Sequence, residues 1–193
     1  MSTGQWFTSR EGIRWWFDSG AVSLDFAYTG SMADNPAWER LRTPSDLAGW
    51  LVDRFERVDA KATERELLDA LELRSAVAAV AHALNEKRAP DVDHIDTINL
   101  FAATPNIPPT LLGGNRHAGG TSIRIGQALA TIARDAVDLF DDNAHGRLRE
   151  CSAADCQLIF YDGSRSNNRR WCSMQRCGNR SKVRAHRARS TTR

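Results

Sequence analysis

No cysteine occurs before residue 151, and no apolar run approaches the roughly 20 residues that a membrane helix needs. The N-terminus carries Arg10, Glu11 and Arg14 where a secretory signal would have an apolar stretch of about 7–15 residues. These absences argue against a membrane protein and against a secreted scaffold held together by disulfides. We therefore expect a cytoplasmic protein with no membrane partner.

Catalytic motifs are also missing from the sequence. It has no nucleophile elbow, no zinc-protease motif and no nucleotide-binding loop. The glycines of the loop predicted at 104–120 do not match a phosphate-binding pattern, and none of the five histidines forms a metal pair at helical spacing. We therefore do not expect an enzyme. An enzyme acting on a small molecule would be indicated by a deep pocket with perturbed acid–base groups near Asp25.

Charge divides the chain into two parts. Residues 1–146 contain 14 Lys and Arg against 21 Asp and Glu, a net charge of −7. Residues 147–193 contain 12 basic and 3 acidic residues, a net charge of +9. An acidic part repels nucleic acid and a basic one attracts it. The composition predicts two domains, 1–146 and 147–193, each with its own core.

The first domain has mainly helical patterns. Capping boxes begin at Thr43 and Thr63, and apolar residues recur at helical steps after them. Loose alternation between residues 21 and 28 predicts a strand, and the first twenty residues show no regular pattern. The predicted class is mainly α (α+β), with a small β element in the first domain. The expected helices span 44–57, 64–87, 91–103 and 122–141.

The second domain contains two cysteine pairs. Four residues separate the members of each pair, and fifteen lie between the pairs. Each pair can supply two ligands from a tight turn, so the pattern predicts a closed tetrahedral thiolate site for one zinc ion per chain. Iron–sulfur clusters also use thiolates, but the spacing differs from common ferredoxins. Two disulfides or four free thiols remain as alternatives. The predicted ligands are Cys151, Cys156, Cys172 and Cys177.

Basic side chains surround these cysteines. Residues 157–161 can form a short strand, and residues 181–189 a C-terminal basic helix. Such a unit can contact phosphates at several points, and arginine can also recognise guanine edges. A solvated basic tail and an acidic protein partner are the alternatives. The candidate DNA contacts are Arg165, Arg169, Arg170, Arg180, Lys182, Arg184, Arg187 and Arg189.

The tail resembles the CGNR-type zinc finger, whose name matches Cys177-Gly178-Asn179-Arg180. The first domain is similar to the ABATE domain that usually precedes this finger in bacterial proteins. That similarity rests on Leu24-Asp25-Phe26, Thr29, the Arg74 segment and Ile98-Asn99, and it departs at Tyr28, where the family carries Asn. The resemblance implies a transcription regulator with a DNA-binding finger and a first domain that senses a small ligand.

Asp25, Arg74 and Asn99 are the candidate ligand-binding residues of the first domain. An arginine within an apolar helix stripe needs a carboxylate or a ligand. One interpretation is an internal pair between Asp25 and Arg74, and the other is a polar floor to a small-molecule pocket.

These observations together predict a zinc-dependent, DNA-binding transcriptional regulator of the bacterial cytoplasm. A small-molecule effector and a homodimer are further partners that the first domain could support. The alternative is an interaction module whose basic finger binds RNA or the transcription machinery, such as RNA polymerase.

Overall fold

The computed structural model describes residues 3–9, 11–30, 32, 36–59, 61–109, 111, 122–141 and 145–191. In that part of the chain, six α-helices combine with two small antiparallel sheets, which confirms the predicted mainly α class. None of the described helices has the length and apolar character needed to span a membrane. The elements are β1 (Gln5–Thr8), β2 (Arg14–Phe17), α1 (Val22–Ala27), α2 (Pro44–Val52), α3 (Glu64–Asn85), α4 (Val92–Ala103), α5 (Ile125–Phe140), β3 (Leu148–Glu150), β4 (Ile159–Tyr161) and α6 (Asn179–Thr191).

The chain begins with a β-hairpin that the sequence patterns did not predict. Strands β1 and β2 pair antiparallel, with Gln5 opposite Phe17 and Thr8 opposite Arg14. Each strand has only four residues, so its alternation is too short to stand out in the sequence. One face of the hairpin is buried and the other carries exposed tryptophans.

The strand predicted at 21–28 is wrong, because Val22–Ala27 forms helix α1. All six residues of α1 are buried. A helix that is covered on every side needs no polar face, so it lacks the 3.6-residue period of a surface helix. The short apolar run therefore resembled a buried strand.

The longer helices follow their local signals. Thr43 and Thr63 each accept a hydrogen bond from the backbone of the third helical residue, and both predicted capping boxes are confirmed. Helix α2 ends at Val52, earlier than predicted, and Arg57 adopts a left-handed φ of 63°. Most of the loop predicted at 104–120 lies outside the described residues.

Helix α3 lies at the centre of the molecule and contacts α1, α2, α4 and α5 as well as β3 and β4. Its buried stripe includes Leu73, Val77 and Val80. The hydrophobic cluster around α3 continues without a break into Leu158, Phe160 and the four cysteines. The structure therefore shows one shared core among the described residues, in place of the two separate cores that we expected.

Hydrogen bonds join the finger to the first domain. The hydroxyl of Tyr28 donates to the carbonyl of Ile159 at 3.0 Å and accepts from its N–H at 2.7 Å. The N–H of Tyr161 donates to the carbonyl of Ser19 at 2.7 Å. Gly20 has a φ of +84°, and a Cβ there would lie 2.3 Å from the carbonyl oxygen of Tyr161. Only glycine allows so close an approach.

Candidate metal centre and basic surface

The four cysteines converge from two turns. Cys151 follows β3 and Cys156 precedes β4, so a short hairpin supplies the first pair. Cys172 precedes a π-helical turn at Met174–Gly178, and Cys177 lies within that turn. All four side chains are buried. Each cysteine pair therefore comes from a tight local turn, as the sequence spacing predicted.

The sulfur atoms have the spacing of a tetrahedral metal site. All four Sγ atoms lie within 4.8 Å of one another, with 3.7 Å between Cys156 and Cys172 and 3.5 Å between Cys172 and Cys177. A tetrahedron with Zn–S bonds of about 2.3 Å has edges of about 3.8 Å. A disulfide would need a sulfur separation of about 2.05 Å. The donor set fits one zinc ion and completes its coordination.

Hydrogen bonds to sulfur reinforce this centre. The backbone N–H of Cys172 donates to Sγ of Cys151 at 3.4 Å, and Nη2 of Arg180 donates to Sγ of Cys177 at 3.4 Å. A metal ion binds the thiolate form of cysteine. The N–H of Cys172 and the guanidinium of Arg180 donate to sulfur without competing for a thiol proton, so these two bonds favour the thiolates of Cys151 and Cys177.

Arg169 differs from its basic neighbours because it is engaged in the junction with the first domain. Its Nη2 donates to the carbonyls of Asp18 and Cys172 at 2.7 and 2.6 Å, and its Nε donates to the carbonyl of Trp171 at 3.1 Å. The guanidinium also stacks 4.1 Å from the ring of Phe160. The structure thus assigns Arg169 an internal structural role, where the sequence suggested a contact with DNA.

The other seven candidate DNA contacts lie at the surface of the finger. Arg180 and Arg184 both form ion pairs with Asp155 at 3.0 Å. Arg170 lies 5.2 Å from the ring of Trp171. The exposed candidates fall into two groups, one before Cys172 and one on α6. They are Arg165, Arg170, Lys182, Arg184, Arg187 and Arg189.

One basic residue of the finger was missed by the sequence analysis. The guanidinium of Arg176 stacks 3.7 Å from the ring of Trp15 on β2. A groove between the hairpin and α6 runs beside this contact, with Ile13 on one wall and Val183 on the other. The position of Arg176 between two cysteines gave no signal for this contact, because the hairpin itself was not predicted.

Asp25, Arg74 and Asn99 do not meet in one site. Arg74 donates two hydrogen bonds to Glu39, at 2.7 and 2.9 Å, so its predicted pairing with Asp25 is wrong. The chain segment after α1 brings Glu39 back to α3, which sequence distance did not reveal. Asn99 is exposed on α4, beside an apolar groove lined by Val80. Within the described residues, the three do not share a polar floor.

Asp25 is fully buried and hydrogen-bonded at both oxygens. The N–H of Gly4 donates to Oδ2 at 2.5 Å, and the hydroxyl of Ser19 lies 2.6 Å from Oδ1. That hydroxyl also lies 2.9 Å from the carbonyl of Ala21, and it has one proton for two acceptors. Burial raises the pKa of Asp25 to about 6, although the bonds from Ser19 and Gly4 oppose the shift.

The buried carboxyl predicts a pH-dependent stability. Between about pH 4 and 6 the folded chain binds more protons at Asp25 than the unfolded chain, because the pKa is higher in the folded state. Protonation of Asp25 therefore favours the folded state at low pH, and this stabilisation is lost as the pH rises through about 6. We expect Asp25→Asn to gain about 2–3 kcal/mol relative to the wild type between pH 4 and pH 7. Urea unfolding at both pH values measures this gain. Asp96→Asn, an exposed change on α4, should show none.

Two family models match the chain. The model of the CGNR zinc finger matches residues 147–190. The model named ABATE, described as "putative stress-induced transcription regulator", matches residues 20–143. No curated protein gives a significant match to the chain. The resemblance recognised in the sequence is confirmed, and the β-hairpin lies before the start of both matches.

Proposed function

Because the chain belongs to the ABATE family and ends in a CGNR zinc finger, we propose that it is a transcription regulator that binds DNA through this finger. The finger needs zinc to hold its basic segments in place. The first domain serves regulation rather than catalysis in this proposal, and the protein acts in the bacterial cytoplasm.

The arrangement of exposed charge carries this proposal. Arg165 and Arg170 lie on the segment that leads into Cys172, and Lys182, Arg187 and Arg189 lie on α6, which leaves Cys177. The metal centre lies between the two groups, so Cys172 fixes the end of the first segment and Cys177 fixes the start of α6. Neutralising several phosphates with such side chains gives strong, salt-dependent binding to duplex DNA.

Salt titration of the full, zinc-loaded chain tests the proposal. The probe is a duplex selected from a random-sequence library, followed by fluorescence anisotropy. If about 4–7 phosphates are neutralised, the log–log salt slope should lie between about −4 and −6. If Arg165 or Arg170 contacts a phosphate, changing it to Ala should reduce the magnitude of the salt slope by about one. If it contacts a base, the change should weaken binding to the selected duplex by about 1–3 kcal/mol and leave binding to other duplexes unchanged.

Arg65→Ala is the matched control, since Arg65 lies on α3 and pairs with Asp69 at the surface. It should leave both affinity and slope unchanged. An equal effect of Arg65→Ala and Arg170→Ala would overturn the proposal. Equal affinity for single-stranded RNA and duplex DNA would instead support the alternative of an RNA-binding module.

A further inference from the structure

A groove in the first domain lies between the β-hairpin and the end of α2. Trp6, Arg14 and Trp16 of the hairpin line one side, and Arg54 lies two residues after the end of α2. Arg40 comes from the segment before α2. The cavity has a volume of about 690 Å³, within the roughly 300–1,000 Å³ of small-molecule sites.

The groove has an excess of positive charge. Three guanidinium groups line it, and Asp53 is the one carboxylate among the described lining residues. Arg14, Arg40 and Arg54 make no direct ion pair with any described residue, and the buried carboxylate of Asp25 behind Gly4 attracts Arg40 and Arg54 without contacting them. Three arginines against the carboxylates of Asp53 and Asp25 leave a positive excess that attracts an anion, and a carboxylate fits the guanidinium fork with two hydrogen bonds.

Two of these arginines are held in position. Arg40 donates to the side-chain oxygen of Gln5 at 3.1 Å and to the carbonyl of Trp6. Arg54 stacks 3.9 Å from the ring of Trp50, and its Nε is buried without an acceptor among the described residues. A ligand carboxylate therefore meets a site that is already oriented, which reduces the entropic cost of binding.

The hairpin supplies an aromatic wall. The rings of Trp6 and Trp16 meet edge to face with their centroids 5.5 Å apart, and they are 46 % and 41 % exposed. The ring of Trp16 packs so closely on Gly4 that a Cβ there would lie 2.5 Å from it. The guanidinium of Arg14 lies over the ring of Trp6, 4.5 Å from its centroid, and the exposed parts of the two rings offer an apolar surface to a planar ring.

From these observations we propose that the groove binds a small planar anion, namely an aromatic carboxylate. The ring lies against Trp6 and Trp16, and the carboxylate is bound by the arginines. A nucleic acid is a poorer fit, because residues 1–146 carry a net charge of −7 that repels a long polyanion more than a singly charged molecule.

The location suggests an effector site, and in this respect the inference rests on the proposed regulatory function. Trp15, on the opposite face of β2, contacts Arg176 of the finger. Trp6 and Trp16, which face the groove, pair directly across the hairpin. Only strand β2 therefore lies between a ligand in the groove and Arg176, on the segment that joins Cys172 to Cys177.

Calorimetric titration of the full, zinc-loaded chain with benzoate, salicylate and indole-3-acetate tests the proposal. At least one should bind saturably with one site per chain. Benzyl alcohol, which lacks the charge, and acetate, which lacks the ring, should bind at least about ten-fold more weakly. Absence of saturation below about 10 mM for all three would overturn the proposal, since oriented arginines should give millimolar binding or better.

Substitutions test whether the ligand binds in the groove. Arg14→Gln, an exposed change with little risk to folding, and Arg54→Gln should each weaken binding about ten-fold or more, whereas exposed Arg42→Gln should not. Unchanged binding in both groove variants would place the ligand elsewhere and overturn the proposal. So would displacement of the ligand by short oligothymidine. The small-molecule titrations and the substitutions are carried out without DNA, so their failure is distinct from failure of the proposed function.

Discussion

Replacing Cys172 with serine should remove the zinc ion and lower the melting temperature of the whole chain by about 10 °C or more. Zinc contributes about 10–16 kcal/mol to the folding of finger peptides, and about 1 kcal/mol shifts the melting temperature of a chain of this size by about 2–4 °C. The cysteines belong to the same hydrophobic cluster as α3 and α5. Loss of the metal therefore exposes a face of the first domain as well.

Zinc content by mass spectrometry and calorimetric unfolding measure the two effects. Ser152→Ala, an exposed change next to Cys151, is the matched control and should retain zinc and melting temperature. Chelation of zinc from the wild type should reproduce the Cys172→Ser result. Two separate transitions, with the larger one unchanged in the variant, would contradict a shared core.

Tyr28→Phe should reduce the free energy of unfolding by about 2–6 kcal/mol. The change removes one oxygen and leaves the N–H and carbonyl of Ile159 buried without their hydrogen bonds, at about 1–3 kcal/mol for each group. The ring keeps its edge-to-face contacts with Phe7 and Phe17, at 5.8 and 5.0 Å, so the loss reports on the hydroxyl.

The chain contains two tyrosines, and the second is a natural control. Tyr161 is part of β4 in the same junction, but its hydroxyl makes no hydrogen bond to a described residue. Urea unfolding should therefore show a change of less than about 1 kcal/mol for Tyr161→Phe. Equal losses in the two variants would show that the Tyr28 hydroxyl does not stabilise the junction.

Part of this structure follows from signals that lie within a few residues of each other. The capping boxes at Thr43 and Thr63 involve a side chain and a backbone group three residues apart. The members of each cysteine pair lie five positions apart, within one turn. Because these interactions close locally, spacing and residue type were sufficient to predict the helix starts and the metal ligands.

Other parts were mispredicted because tertiary burial overrides local pattern. Helix α1 is covered on all sides, so its residues show no helical periodicity. The hairpin depends on α1, since Gly4 and Gln5 both hydrogen-bond to Asp25. Arg74 required a carboxylate, as the sequence indicated, but Glu39 provides it. A sequence shows that a buried charge needs a partner without showing which segment supplies it.

The sequence by itself determined the helical class, the zinc ligands, and the separation of an acidic part from a basic one. Those properties depend on composition and short spacings, which exist before the chain folds. Tertiary structure alone decided that Tyr28 and Arg169 join the finger to the first domain, through contacts with Ile159 and Asp18. The two residues of each contact are 131 and 151 positions apart in the sequence. They form only once α3 and the zinc-bound turns place both segments against one core, and no local pattern encodes that placement.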